Sequence, residues 1–106
     1  MFGSVKYRVP RGFRDFPPEV AILRKKVIEI VEDVFERFGF DPIETPVIEY
    51  WGTLKGKYGD EVESKLLYRF QDPWSEEWLA LRYDLTVPLA RFVASHAPPL
   101  PFKRYH

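Results

Sequence analysis

Residues 81–91 read Leu-Arg-Tyr-Asp-Leu-Thr-Val-Pro-Leu-Ala-Arg, a sequence that predicts a strand passing directly into a helix. The side chains that lead into it alternate as in a β-strand, which puts Arg82 and Asp84 on one face with Cα atoms roughly 6.5–7 Å apart. A helix is expected over about 86–95, and the proline-rich segment 97–101 closes it. Asp84 is therefore expected at the carboxyl end of a strand, beside the N-terminus of a helix.

The polar side chains at this junction suit a cationic ligand. An ionised Asp84 only accepts hydrogen bonds and the Thr86 hydroxyl also accepts them, whereas a substrate ammonium group has three donors to satisfy. A simpler interpretation stays open from the residues alone. Thr86 is a good N-cap residue, so Asp84 or Thr86 would only cap the helix and Arg82 would only pair with Asp84.

A long amphipathic helix is predicted upstream, from the prolines at 17–18 to about Phe38, with Gly39 as its left-handed stop. At 100° per residue its apolar side chains cover an arc of about 180°, wider than the ~100° stripe of a surface helix. This width predicts contacts with two bodies, its own sheet and a partner subunit, or deep burial in one core. Arg24 lies inside the arc and is expected to snorkel or to pair across an interface. The arc comprises Val20, Leu23, Val27, Ile28, Ile30, Val31, Val34, Phe35 and Phe38.

The remaining segments are short and complete an α+β fold: a long helix, an antiparallel sheet piece and a second helix. Prolines restrict the first extended segment to an edge or to broken strands. In chain order the expected elements are strand character at 1–9, an extended segment at 40–50, a short helix or turn at 51–58, a mobile loop around 56–63, strands at 66–70 and 78–83 joined by 71–77, and the opening of a strand at 102–106.

Composition bounds the function. A chain of 106 residues suits one small domain, and 45% apolar residues are enough for a core. Sixteen basic residues balance sixteen acidic ones, so no global charge attracts nucleic acid or a membrane. The absence of cysteine excludes disulfides and thiolate metal sites, and two histidines are too few for a zinc site. No apolar run reaches the roughly twenty residues of a membrane span. A cytoplasmic protein is expected.

Several motifs resemble those of one family. Residues 81–91 resemble the histidine-recognising stretch of histidyl-tRNA synthetases in its archaeal and eukaryotic form. Residues 10–15 resemble the family's Pro-x-Gly-x-x-Asp loop, the long helix with 39–46 resembles motif 1 of class II synthetases, and 66–72 resembles the strand before the substrate strand. The similarity covers roughly residues 8–106. One departure is the turn at 73–77, where family members usually carry a glycine.

The resemblance implies roles for particular residues. Asp84 and Thr86 would bind the α-amino group of histidine, with Arg82 in a supporting role. Motif 1 builds the dimer interface of this class, so the resemblance places Val27, Val31 and Pro46 at that interface. The resemblance assigns no catalytic residue and no metal ligand to this chain.

The resemblance also implies an activity: a cytoplasmic homodimer that activates histidine with ATP and Mg²⁺ and transfers it to tRNA(His). The chain would be a single partial catalytic domain over 1–106, with a motif 1 region at about 18–50 and a histidine-binding strand and helix at about 78–96. Because motifs 2 and 3 of the family follow later, the chain alone is expected to be inactive.

Two rivals stay open. One is a catalytically silent relative, the regulatory subunit of ATP phosphoribosyltransferase, although Val87-Pro88-Leu89 follows the synthetase pattern. The other is a dimerisation module that has lost catalysis.

Overall fold

The computed structural model describes residues 6–106, which form two compact units, one ending at Gly39 and the other covering Phe40–His106. Helices and a small antiparallel sheet occur together, so the predicted α+β class is confirmed. Of the strand character expected at 1–9, residues 1–5 lie outside the described part. Residues 6–9 form no strand, so that part of the prediction is wrong.

The first unit contains helix α1, Pro18–Arg37, whose predicted bounds are confirmed. Pro17 precedes it in an extended conformation, and Pro18 fits the first turn because its missing N–H would have no helical partner. Phe38 caps the other end and Gly39 follows with φ +83°, the left-handed conformation that glycine adopts without steric cost.

The apolar face of α1 is exposed. None of the residues of α1 is buried, and Ile30 and Leu23 are 67% and 63% exposed. Arg24 lies within this face, and its guanidinium carbon is 4.0 Å from the centroid of the Phe16 ring. The side chain therefore makes a cation–π contact with an aromatic neighbour in the same unit.

The second unit is built on a three-stranded antiparallel sheet in the order β2-β4-β3. Its strands are β2 (Ile48–Tyr50), β3 (Arg69–Gln71) and β4 (Trp78–Leu81). A separate parallel pair joins β1 (Asp41–Pro42) to β5 (Arg104–Tyr105). The extended segment at 40–50 is thus two short strands, as its prolines predicted, and the strand expected at 102–106 is also confirmed.

The turn between β3 and β4 shows what replaces the family's usual glycine. The Asp72 N–H donates to the Glu77 carbonyl at 2.8 Å and closes the turn. Glu76 has φ +61°, a left-handed conformation that favours glycine. The sequence departs from the family pattern here, but the backbone keeps a glycine-like conformation.

The segment before β3 differs from the expectation. Val62–Leu66 is a π-helix, closed by the Leu67 N–H donating to the Val62 carbonyl at 3.0 Å. The strand expected from 66 therefore begins at Arg69, and much of the loop expected around 56–63 is ordered by contacts described below. The strand expected over 78–83 ends at Leu81.

Two further helices belong to this unit. Helix α2 is Trp51–Leu54, which lies within the segment 51–58 where a short helix or turn was predicted. Helix α3 is Thr86–His96. Helix α2 contacts β2, β4 and α3. The buried apolar residues of the described part are few: Leu54, Leu67, Ala80 and the helical Pro88. Among residues 6–106 there is no helix with the length and apolarity that a bilayer crossing requires.

Candidate functional site

The predicted junction lies between β4 and α3, and residues 82–85 link them. The link is tied to the sheet because the Arg82 N–H donates to the Val47 carbonyl at 2.9 Å. Helix α3 is fixed by an ion pair between Arg91 and Glu49 of β2, with Nε 2.8 Å from Oε1 and 3.1 Å from Oε2. Glu49 is only 5% exposed. These two contacts join the middle of α3 to β2 and the link to the residue directly before β2.

The Asp84 carboxylate is half-buried at this junction. Its Oδ1 accepts the Tyr58 hydroxyl at 2.8 Å and the Val87 N–H at 3.5 Å. The second distance is beyond the usual range of a hydrogen bond, so capping of α3 by Asp84 is weak. No side chain of residues 6–106 forms an ion pair with Asp84 within 4 Å. Its negative charge is left uncompensated at short range.

The Thr86 hydroxyl has no capping role. Thr86 is exposed and is the first residue of α3, while Leu85 occupies the cap position without a side-chain hydrogen bond. The interpretation of Thr86 as the helix cap is therefore wrong. Within the part of the chain that the structure describes, no hydrogen bond engages this hydroxyl, and it lies two residues from Asp84.

Arg82 is engaged away from Asp84. Its Nη1 donates to the Thr45 carbonyl at 3.1 Å and to Thr45 Oγ1 at 3.4 Å. Thr45 Oγ1 also lies 2.9 Å from His106 Nε2. The alternative in which Arg82 only pairs with Asp84 is therefore wrong. Arg82 instead joins the segment before β2 to the junction, and its supporting role in ligand binding stays a prediction.

His106 completes this network as a neutral ring. Its Nδ1 is buried and has no hydrogen-bond partner among the described residues. Burial lowers the pKa of His106 below its usual value, and the nearby guanidinium groups of Arg82 and Arg104 lower this pKa further.

Tyr58 is the contact of Asp84 that sequence reasoning missed. Its ring packs against the ring of Tyr83 at 5.0 Å between centroids and 59° between planes. Burial raises the pKa of Tyr58 well above its usual value, and the hydrogen bond to Asp84 raises this pKa further. The only sequence signal for Tyr58 was its position between Gly56 and Gly59 in a loop expected to be mobile.

The residues assigned to a dimer interface stay predictions. Val27 and Val31 are one turn apart on the exposed face of α1, with 53% and 48% of their surface accessible. Pro46 is exposed in the segment between β1 and β2 of the second unit. Within residues 6–106 no group of three or more His, Cys, Asp or Glu side chains is suited to hold a metal ion.

Comparison with known proteins gives the family. The sequence profile described as histidyl-tRNA synthetase matches residues 12–103. A histidine–tRNA ligase from Aeropyrum pernix is 70% identical over 100 residues, and one from Korarchaeum cryptofilum is 63% identical over 99 residues. These matches cover 93% and 92% of this chain but only 23% of each relative. The chain thus spans about a quarter of the length of the curated relatives it matches.

Solved structures with a similar fold carry the same family name. A histidyl-tRNA synthetase from Nostoc superposes with a TM-score of 0.79 at 34% identity, over 94% of this chain and 23% of that one. A Bacillus halodurans structure, titled an ATP phosphoribosyltransferase regulatory subunit/histidyl-tRNA synthetase, superposes at 0.76 with 30% identity, over 92% of this chain and 26% of that one. The resemblance predicted from the motifs is confirmed, and the chain belongs to the histidyl-tRNA synthetase family.

Proposed function

We propose that this chain forms the N-terminal, histidine-binding part of a histidine–tRNA ligase, and that Asp84 and Thr86 bind the α-ammonium group of histidine. The observation that carries the proposal is the state of these two side chains. The Asp84 carboxylate has no ion-pair partner in the described part of the chain, and the neighbouring Thr86 hydroxyl is not used as a helix cap.

The two acceptors complement an ammonium group. A carboxylate that accepts a charge-assisted hydrogen bond contributes about 1.5–3 kcal/mol, and a hydroxyl acceptor adds a weaker bond. Arg82 supports this arrangement because Thr45 holds its guanidinium, so that it does not neutralise Asp84. A cationic ligand is therefore favoured over a neutral one at this junction.

The activity of the whole ligase is proposed from family membership. ATP and histidine would give histidyl-adenylate, and histidine would pass to tRNA(His) in the cytoplasm. The residues that hold ATP in the family follow the segment covered here, so we expect the 106-residue chain alone to show no histidine-dependent ATP–pyrophosphate exchange. We assign Mg²⁺ to no residue of the described part, because that part offers no suitable group of acidic side chains.

A homodimer through α1 is part of the same proposal. The exposed apolar face that carries Val27 and Val31 is wider than a surface helix needs, and the family uses motif 1, with Pro46, as its subunit interface. Burial of this face would remove apolar surface from water, which is the main source of stability for an obligate dimer.

A regulatory relative is the second candidate, because the Bacillus halodurans structure carries both names in its title. Both candidates bind histidine, so only adenylate formation by a protein that carries the complete catalytic domain separates them. Val87-Pro88-Leu89 favours the ligase. A module that only dimerises would not bind histidine. Light scattering would show its dimer, and calorimetry would show no heat of histidine binding.

The binding proposal is tested by isothermal titration calorimetry, in which L-histidine is added to the wild-type chain and to its variants. Asp84→Asn keeps the shape and removes the charge, so we expect at least tenfold weaker binding with little change in melting temperature. Asp60→Asn, the same change at an exposed acid in the second unit, is the matched control and should bind normally. Unchanged affinity in Asp84→Asn with a large loss of stability would show a purely structural residue. No binding by the wild type at millimolar histidine would contradict the proposal itself.

A further inference from the structure

We propose that Tyr58 is a positioning residue for the Asp84 carboxylate: its hydroxyl occupies Oδ1 and leaves Oδ2 directed to the ammonium group of the ligand. This inference rests on the proposed function, because it needs Asp84 to be the acceptor for histidine. It assigns a role to a residue outside the junction, 26 positions before Asp84 in the chain.

The hydrogen bonds of the carboxylate are one-sided. Both donors that approach Asp84, the Tyr58 hydroxyl at 2.8 Å and the Val87 N–H at 3.5 Å, are directed at Oδ1. Among the described residues no donor contacts Oδ2, and Oδ2 is not one of the fully buried atoms that lack a partner, so it is not sealed off from solvent. The short bond from Tyr58 restricts rotation of the carboxylate, the distant Val87 N–H adds little, and the second oxygen stays available to a ligand.

The aromatic ring of Tyr58 is itself held in place. It packs against Tyr83, the residue directly before Asp84, with ring centroids 5.0 Å apart. Tilted aromatic pairs at this separation are favourable, and a tyrosine has few rotatable bonds to restrain. The ring of Tyr58 therefore contacts residue 83 of the 82–85 link, and its hydroxyl contacts Asp84 of the same link.

Glu63 fixes the backbone that carries Tyr58. Its Oε2 accepts the Gly56 N–H at 2.8 Å and the Tyr58 N–H at 3.3 Å. The bond from the Gly56 N–H, and to a smaller extent the bond from the Tyr58 N–H, lower the pKa of Glu63. The Glu63 carboxylate is therefore ionised at neutral pH. Gly56 and Gly59 have φ +80° and +91°, conformations that a residue with Cβ rarely adopts. The turn around Tyr58 is therefore stabilised by the Glu63 carboxylate and by two glycines in the left-handed region.

A phenol suits this role better than a cation would. With its raised pKa, Tyr58 stays protonated and donates at neutral pH. A neutral donor orients the carboxylate and leaves its negative charge intact, whereas an arginine or lysine in the same place would compete with the ligand's ammonium group. The arrangement couples orientation of Asp84 with selectivity for a cation.

The test compares Tyr58→Phe with the wild type by calorimetry, using L-histidine and imidazolepropionate, which has the same ring and carboxylate but no ammonium group. We expect about tenfold weaker binding of histidine, the loss of one hydrogen bond to a charged group, and unchanged binding of imidazolepropionate. Tyr50→Phe makes the same chemical change at a tyrosine that is 56% exposed, and it should match the wild type with both ligands.

Two results would overturn the inference. Equal losses with both ligands would show a structural role only, and unchanged or tighter histidine binding would show that the hydroxyl does not prepare the site. Glu63→Gln is the second variant, because it loosens the turn and keeps the phenol; it should reproduce the ammonium-selective loss even if Tyr58→Phe folds poorly. Failure of the wild type to bind histidine would refute the proposed function as well, whereas wild-type binding that neither variant changes would refute the positioning role alone.

Discussion

The ion pair between Arg91 and Glu49 gives the sharpest stability prediction. Glu49 is 5% exposed and both of its oxygens lie close to Arg91 Nε, at 2.8 Å and 3.1 Å. Arg91→Met would leave a buried carboxylate without a partner, which costs about 3–5 kcal/mol. Because the Arg91 side chain is 30% exposed and water reaches one side of the pair, we expect the lower end of this range, about 3 kcal/mol.

The assay is unfolding by urea and by heat at pH 7. For a domain of this size each kcal/mol lowers the melting temperature by about 4–8 °C, so Arg91→Met should lower it by about 12–24 °C. Arg37→Met is the matched control, since it breaks an equally short pair with Asp33 at 2.9 Å whose side chains are 75% and 57% exposed. Such exposed pairs contribute about 0–1 kcal/mol.

A double variant completes the design. Glu49→Met combined with Arg91→Met replaces both charges with apolar groups and should recover most of the lost stability, because no unpaired charge is left. The reasoning would be refuted if Arg91→Met lost no more stability than Arg37→Met. It would also be refuted if the double variant were less stable than Arg91→Met alone.

Three further predictions concern other parts of the chain. Val31→Asp should abolish concentration-dependent association in analytical ultracentrifugation, and a wild type that stays monomeric at high concentration would refute the dimer proposal. Folding lowers the pKa of His106 below its unfolded value near 6.5. The stability that the neutral ring contributes is therefore present above pH 6.5 and is lost as the pH falls through the pKa of the folded state. In urea unfolding measured across this pH range, His106→Asn should reduce the loss of stability at low pH. Glu76→Gly should raise the free energy of unfolding by up to about 1 kcal/mol, and a decrease would show that φ +61° is not strained.

Elements with strong local signals could be predicted from the sequence. The bounds of α1 followed from Pro17, Pro18 and Gly39, which restrict the backbone directly at each end. The start of α3 near Thr86 was predicted, although Thr86 was expected to cap the helix and is instead its first residue. The π-helix at 62–66 was missed, because an i→i+5 hydrogen bond has no periodic side-chain pattern of its own.

The contacts that shape the site could not be read from the sequence. Tyr58 meets Asp84 across 26 residues, and Arg82 meets Thr45 across 37. Hydrogen bonds over such separations depend on how the sheet and loops pack, which local spacing does not encode. Sequence reasoning chose Asp84 and Thr86, but the partners of Asp84 and Arg82 required the structure.

The π-helix makes the length of one segment critical. Its wide turn from Val62 to Leu67 accommodates one residue more than an ordinary helical turn. Deletion of a single residue there would let the chain relax into standard α-geometry and would rotate Glu63 by about 100° relative to β3. The carboxylate would then turn away from Gly56. A change in the length of this short segment would therefore alter the contact between Glu63 and the turn that carries Tyr58.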